Sequence, residues 1–164
     1  MGAEIIKVYK QNMGSKRFIG KKYSSGSEAW TGFDTDENWN LIEKIKNKIP
    51  TEDITLAELN STIGLISEEN GSFEYWLGIF TSPDATVPEG FQYLDFPNGE
   101  ICVCWVYGSQ DEYFGQEGAC GERLEKEGYK IYTGLCFERY FSPRSETPDE
   151  KGKYILDVGF FVNR

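Results

Sequence analysis

The sequence predicts an α+β fold: two βαββ units in tandem, roughly residues 1–82 and 83–164, with helices on the outer face of antiparallel sheets. Two observations carry this. The order of elements repeats, each half running from a strand or hairpin through a capped helix to a strand, a turn and a final strand. The last strands also echo one another, Trp76-Leu77-Gly78-Ile79-Phe80 against Asp157-Val158-Gly159-Phe160-Phe161, about half a chain apart. A third observation permits a packed interior: 39% of the residues are hydrophobic and 15% aromatic. Two small sheets meeting about a pseudo-twofold axis would leave a ligand groove at their junction.

The elements follow in order. Glu4 to Tyr9 and Phe18 to Tyr23 are β-rich runs, the second closed by the turn residues Ser24 to Ser27. Glu28 to Phe33 reads as a linker. Asp34 with Glu37 has the spacing of a capping box, and Trp39, Ile42, Ile45 and Ile49 then fall on one helical face until Pro50 stops it. Ser61 to Ser67 and Phe73 to Thr81 form a hairpin about Glu68-Glu69-Asn70-Gly71, and Ser82 to Gly90 connects the halves. Gly90 to Phe96 and Glu100 to Tyr107 flank the turn Pro97-Asn98-Gly99. Ser109 and Glu112 then cap a helix over Asp111 to Glu127, which Gly115, Gly118 and Gly121 weaken, each costing about 1 kcal/mol relative to Ala. Cys136 to Phe141 and Tyr154 to Val162 are the closing strands, with a charged loop, Ser142 to Lys153, between them.

Composition excludes several chemistries. The net charge is −10, which opposes the Lys and Arg phosphate contacts that drive nucleic-acid binding, so no direct nucleic-acid partner is expected. Histidine is absent, which removes Ser-His-Asp and Cys-His nucleophiles and every His-ligated metal. Cys102, Cys104, Cys120 and Cys136 lack metal-knuckle spacing, and no signal peptide or run of about 18 apolar residues is present. The expectation is a cytoplasmic protein with free thiols, no metal, no cofactor and no membrane partner. Any chemistry falls to carboxylates, Tyr, Lys, Cys or Ser.

Four Trp, ten Tyr and eleven Phe exceed what a core of this size needs, so some rings are expected to line a cavity. Strand alternation puts Cys136, Glu138 and Tyr140 on one side and Phe137, Arg139 and Phe141 on the other. A carboxylate between apolar neighbours needs a cation, a donor or water, and a Lys, Arg or Tyr of the fold would serve as well as a ligand. Tyr140 shares its face. Trp105 reads equally as groove lining or core, and Trp30 and Phe33 equally as groove rim or core. One of Tyr75 and Trp76 should point inward by alternation. Asp157 is a structural partner for Arg139.

Several short motifs occur in a family's order. Gly128-Tyr129 is followed by Cys136-Phe137-Glu138-Arg139-Tyr140; Val87-Pro88-Glu89-Gly90 precedes Phe96-Pro97-Asn98-Gly99-Glu100; Phe18-Ile19-Gly20 and the Trp39 helix lie upstream. In these the chain resembles the GyrI-like small-molecule-binding domains: gyrase-inhibitory proteins and the effector-binding domains of multidrug-responsive bacterial transcription regulators. The resemblance covers nearly the whole chain. It implies a junction groove in which a buried glutamate, here Glu138, meets lipophilic aromatic cations, with Tyr140, Trp105, Trp30, Phe33, Trp76 and Tyr75 as the candidate lining. No helix-turn-helix precedes the domain, so DNA reading by this chain is not implied. Two alternatives accompany the binding reading. One is a hydrolase of cyclopropane-containing DNA alkylators using Glu138 and Tyr140. The other is an acidic protein docking on DNA gyrase or on a separate regulator.

Overall fold

Short β-rich runs parted by glycine and asparagine turns become, in a computed structural model, eight strands in one sheet among the described residues. The structure describes residues 2–49, 61–141 and 144–162. The strands are β1 (Glu4–Met13), β2 (Lys16–Tyr23), β3 (Ser61–Ser67), β4 (Glu74–Thr81), β5 (Gln92–Phe96), β6 (Gly99–Gly108), β7 (Leu135–Phe141) and β8 (Tyr154–Phe161). The described helices are α1 (Gly26–Phe33), α2 (Asp36–Lys46) and α3 (Glu117–Lys126). The expected helix stop at Pro50 and the first residue of the expected loop, Ser142, lie outside the described residues.

Every strand pairing is antiparallel, in the order β1-β6-β8-β7-β3-β4-β2-β5. Replacing each strand by its counterpart in the other half leaves this order unchanged when read from the opposite edge. The two halves therefore do not form two small sheets, as the sequence reading expected. They join edge to edge through β3 and β7, and each lends its first strand to the other: β1 pairs with β6 and β5 with β2. Backbone N–H and C=O groups at the junction are thus satisfied by continuous pairing.

Alternation sorts the apolar side chains into two cores. On one face Ala29, Phe33, Ile42, Ile45, Cys120 and Leu124 bring all three described helices down on Ile19, Leu77, Cys104, Val158 and their neighbours. The opposite face packs on itself. Phe96 of β5 stacks on Phe161 of β8 with ring centroids 4.5 Å apart, and Phe80 meets Phe137 edge-on. Those strands are far apart in the sheet order, so the sheet is strongly curved, with helices outside the curve and a phenylalanine core within it.

Helix boundaries depart from the sequence reading at three places. The stretch read as a linker is α1, started by Ser25, whose side chain accepts from the Glu28 N–H. The N-cap of α2 is Thr35 rather than Asp34, its hydroxyl accepting from the Asn38 N–H. The expected helix from Asp111 begins only at Glu117. The Ser109–Glu112 box closes one turn, and Gly115, at φ 71, then takes the chain out of helical conformation. Among the described residues no helix is long and apolar enough to cross a membrane. All four cysteines are buried and free.

Candidate functional site

The midpoint of the β3–β7 pairing sets Gly64 opposite Glu138. Glu138 projects to the helix side and is only 4% exposed. Its Oε1 accepts two phenolic hydrogen bonds, from Tyr75 at 2.8 Å and from Tyr140 at 3.0 Å. Tyr140 reaches it because residues two apart on β7 share a face. Tyr75 arrives from β4, and its hydroxyl lies over Gly64, where an added Cβ would stand 2.0 Å from the phenolic oxygen. A glycine at the centre of an apolar strand is thus what opens the path between Tyr75 and Glu138.

Burial dominates the electrostatics. It pushes the Glu138 carboxyl up to about 7; the two tyrosine hydrogen bonds pull it down, and the nearby Glu117 charge adds to the rise. Burial and the Glu138 charge also raise both tyrosines well above the ordinary phenol value, so they stay protonated donors. The carboxylate thus sits near its midpoint at neutral pH.

A cavity of about 430 Å³ opens beside Glu138, bounded by Trp30, Tyr75, Phe73, Phe114 and Glu117, with Gly26 and Gly115 in its wall. Among the described residues none that lines it is Lys or Arg. A neighbouring cavity of about 400 Å³ shares Trp30 and Phe114 and is lined also by Trp39, Tyr113 and Tyr140. The Trp30 ring meets Tyr140 edge-on at 5.1 Å. Phe73 and Phe114 are 43% and 47% exposed, large apolar rings left at the mouth. Local sequence places them: the Ser25 cap starts the helix carrying Trp30, and Gly115 turns the chain after Phe114. Chemically, a carboxylate near its midpoint among rings can exchange its proton for a cation or take a proton from a bound water. Among the described residues no cluster of Cys, Asp and Glu is arranged to hold a metal ion.

Of the residues singled out from sequence, Glu138, Tyr140, Tyr75 and Trp30 come together here. Three do not. Trp76 and Trp105 lie on the other face of the sheet, since alternation that aims Tyr75 and Cys104 at the helices aims their neighbours away. There Trp76 packs against Phe18 at 6.1 Å, and Trp105 lies between Lys7 and Arg144. Phe33 is fully buried behind α1, against Trp39 and Phe91. Arg139 binds Asp157 on the far face, and Arg144 joins the pair. Sequence reasoning missed Gly64, Phe73, Phe114 and Glu117. Of these Gly64 carried a readable signal, since an isolated Gly in Ile63-Gly64-Leu65-Ile66 marks close approach; for Trp30, already a candidate, the Ser25-x-x-Glu28 capping spacing signals its place on a helix.

The model of the GyrI-like small molecule binding domain family matches residues 31–158. No curated protein matches the sequence. Among solved structures, a Staphylococcus aureus MU50 protein assigned to bacterial transcription regulation shares the fold at TM-score 0.61 and 15% identity, over 97% of this chain and 99% of its own. SAV2435 bound to tetraphenylphosphonium is similar at TM-score 0.64 and 14% identity, over 95% and 93%. EcmrR, solved in a complex with DNA, is similar at TM-score 0.59 and 11% identity over 96% of this chain, which spans 57% of EcmrR.

Proposed function

The chain belongs to the GyrI-like small-molecule-binding family, and on that premise we propose that it binds lipophilic aromatic cations with Glu138 as the anionic pole. One observation carries the reading. A carboxylate 4% exposed, with two tyrosine donors and no Lys or Arg among the described residues of the cavity beside it, is matched electrostatically by a cation brought in by a ligand. Trp30, Tyr75, Tyr140 and Phe114 supply the aromatic surface, and cation–π attraction adds about 0.5–2 kcal/mol per ring. That SAV2435 binds tetraphenylphosphonium, a cation of this class, supports the choice. Trp76, Trp105 and Phe33 have no part in this site.

The mirrored strand order supports a tandem duplication, with the site at the junction of the halves in one domain spanning 1–164. In this reading the protein is a cytoplasmic effector or sequestering module, and the −10 charge supports a role without direct nucleic-acid contact. The test is calorimetric titration with tetraphenylphosphonium at pH 8. Saturable binding weakened at least tenfold in Glu138→Gln is expected; an unchanged affinity in that variant removes Glu138 from the site.

A hydrolytic reading has one observation of its own. Glu138, held near neutrality with a phenol at each side, has the properties of a general base for water attack on a strained, electrophilic ring such as a cyclopropane. Turnover of such an alkylator, abolished in Glu138→Gln, would favour catalysis; stoichiometric binding without turnover favours the binding module.

A further inference from the structure

The Glu138 cavity does not end at Glu117. A second cavity, of about 260 Å³, begins there and runs along α3. The two share Ile66, Phe73 and Glu117 in their linings, which sets them side by side as an inner and an outer lobe. The outer lobe has an apolar floor that includes Ile131 and Phe160, and an acidic wall that includes Glu68, Glu122 and Glu125. Among the described residues no Lys or Arg lines either lobe. At the joint Glu117 is half-buried, and among the described residues its buried Oε2 has no hydrogen-bond partner, which leaves it open to a donor or a cation.

The sequence of α3 keeps this lobe open. Gly118, Gly121, Glu122 and Glu125 recur on one helical face. Each interior glycine costs about 1 kcal/mol relative to Ala. A Cβ at Gly118 would meet nothing within 4 Å, and one at Gly121 would lie 3.4 Å from Phe160, so neither position is closed to alanine by a severe clash. What their missing side chains provide is space over the lobe. Arg123, the cation between the two glutamates in sequence, pairs with Glu127 instead.

We propose that the groove takes an elongated dication: a lipophilic aromatic cation in the Glu138 lobe, tethered by an aliphatic chain to an ammonium held by Glu117, Glu122 and Glu125. This rests on the binding reading of Glu138 and specifies its ligand class. The tether lies on the Ile131 and Phe160 floor, and the ammonium supplies the donors that Glu117 lacks.

A matched pair of probes tests it: hexyltriphenylphosphonium and its 6-aminohexyl analogue, titrated into the full chain at pH 8. The amino compound is expected to bind at least tenfold more tightly. In Glu122→Gln/Glu125→Gln that advantage should fall below threefold while the hexyl compound keeps its affinity, and in Gly118→Leu, which fills the lobe, the advantage should fall likewise. The remote pair Glu89→Gln/Glu150→Gln removes the same charge and should leave the advantage intact. Equal affinity of the two probes for the wild-type protein overturns this inference alone, as does an advantage that survives in both outer-lobe variants or is lost in the remote one. Failure of both probes to bind overturns the Glu138 reading with it.

Discussion

Tyr75 reaches Glu138 by crossing β3 directly above Gly64, where any side chain would collide with the phenol. Glycine inside a strand weakens it, so its presence at the central pair has a packing reason. Gly64→Ala should lower stability by about 1–3 kcal/mol in denaturant titrations through overpacking. Because it displaces a donor from the carboxylate, it should also weaken tetraphenylphosphonium binding at pH 7. Tyr75→Phe should reproduce the binding loss without the steric cost, because it removes the hydroxyl and keeps the ring. Full affinity in both variants would show that the Tyr75–Glu138 bond does not tune the site.

Cation binding should depend on pH with a midpoint set by Glu138. The carboxyl titrates near 7, chiefly because it is buried, and only its charged form attracts a cation. Affinity for tetraphenylphosphonium should be flat above pH 8 and fall by up to tenfold per pH unit below about 7. In Glu138→Gln the profile should be flat throughout. Titration calorimetry between pH 5 and about 9 reads both curves.

Stability should show the same group with the opposite sense. Folding raises the Glu138 carboxyl from its ordinary 4.5 to about 7, so the folded chain holds a proton that the unfolded chain releases. That contribution is fully present below 4.5 and lost as pH rises through about 7. Glu138→Gln, which keeps the shape without the charge, should therefore gain on the wild-type protein across this window. The gain should be on the order of 3 kcal/mol by pH 8, since one pKa unit is about 1.4 kcal/mol. A constant difference between the two unfolding curves would contradict the assignment.

On the other face of the sheet, Asp157 is fully buried between Arg139 and Arg144, with Arg139 itself only 2% exposed. Asp157→Asn strands a buried guanidinium and should cost about 3–5 kcal/mol. Because Trp105 also lies on that face, Trp105→Phe should leave tetraphenylphosphonium affinity unchanged, whereas Trp30→Ala should weaken it several-fold. Thermal unfolding and the same binding titration separate the two faces.

Much of the fold was legible because its signals are local. The hairpin about Asn70-Gly71, the strand through Glu138 and the Trp39 helix all rest on period and turn chemistry within a few residues. The α1 helix is hidden in the sequence because Ser24 to Ser27 also reads as a turn, a signal as local as the Ser25–Glu28 capping spacing. The shortened α3 followed from glycines whose cost was visible but whose role in opening a groove was not. For the site, alternation correctly grouped Glu138 with Tyr140, yet it left open which face of each strand meets the helices, and so both Trp76 and Trp105 stayed candidates.

By itself the sequence determined the strands and the Trp39 helix, the absence of histidine chemistry, the acidic surface and the family whose motifs surround Glu138. Tertiary structure alone decided that the halves fuse into one curved sheet, that Tyr75 rather than Trp76 faces the carboxylate, and that a second acidic lobe continues along α3. The division has a physical cause. Periodicity is written into neighbouring residues, whereas the protonation of a carboxylate depends on what is packed around it, and strands remote in sequence supply that packing.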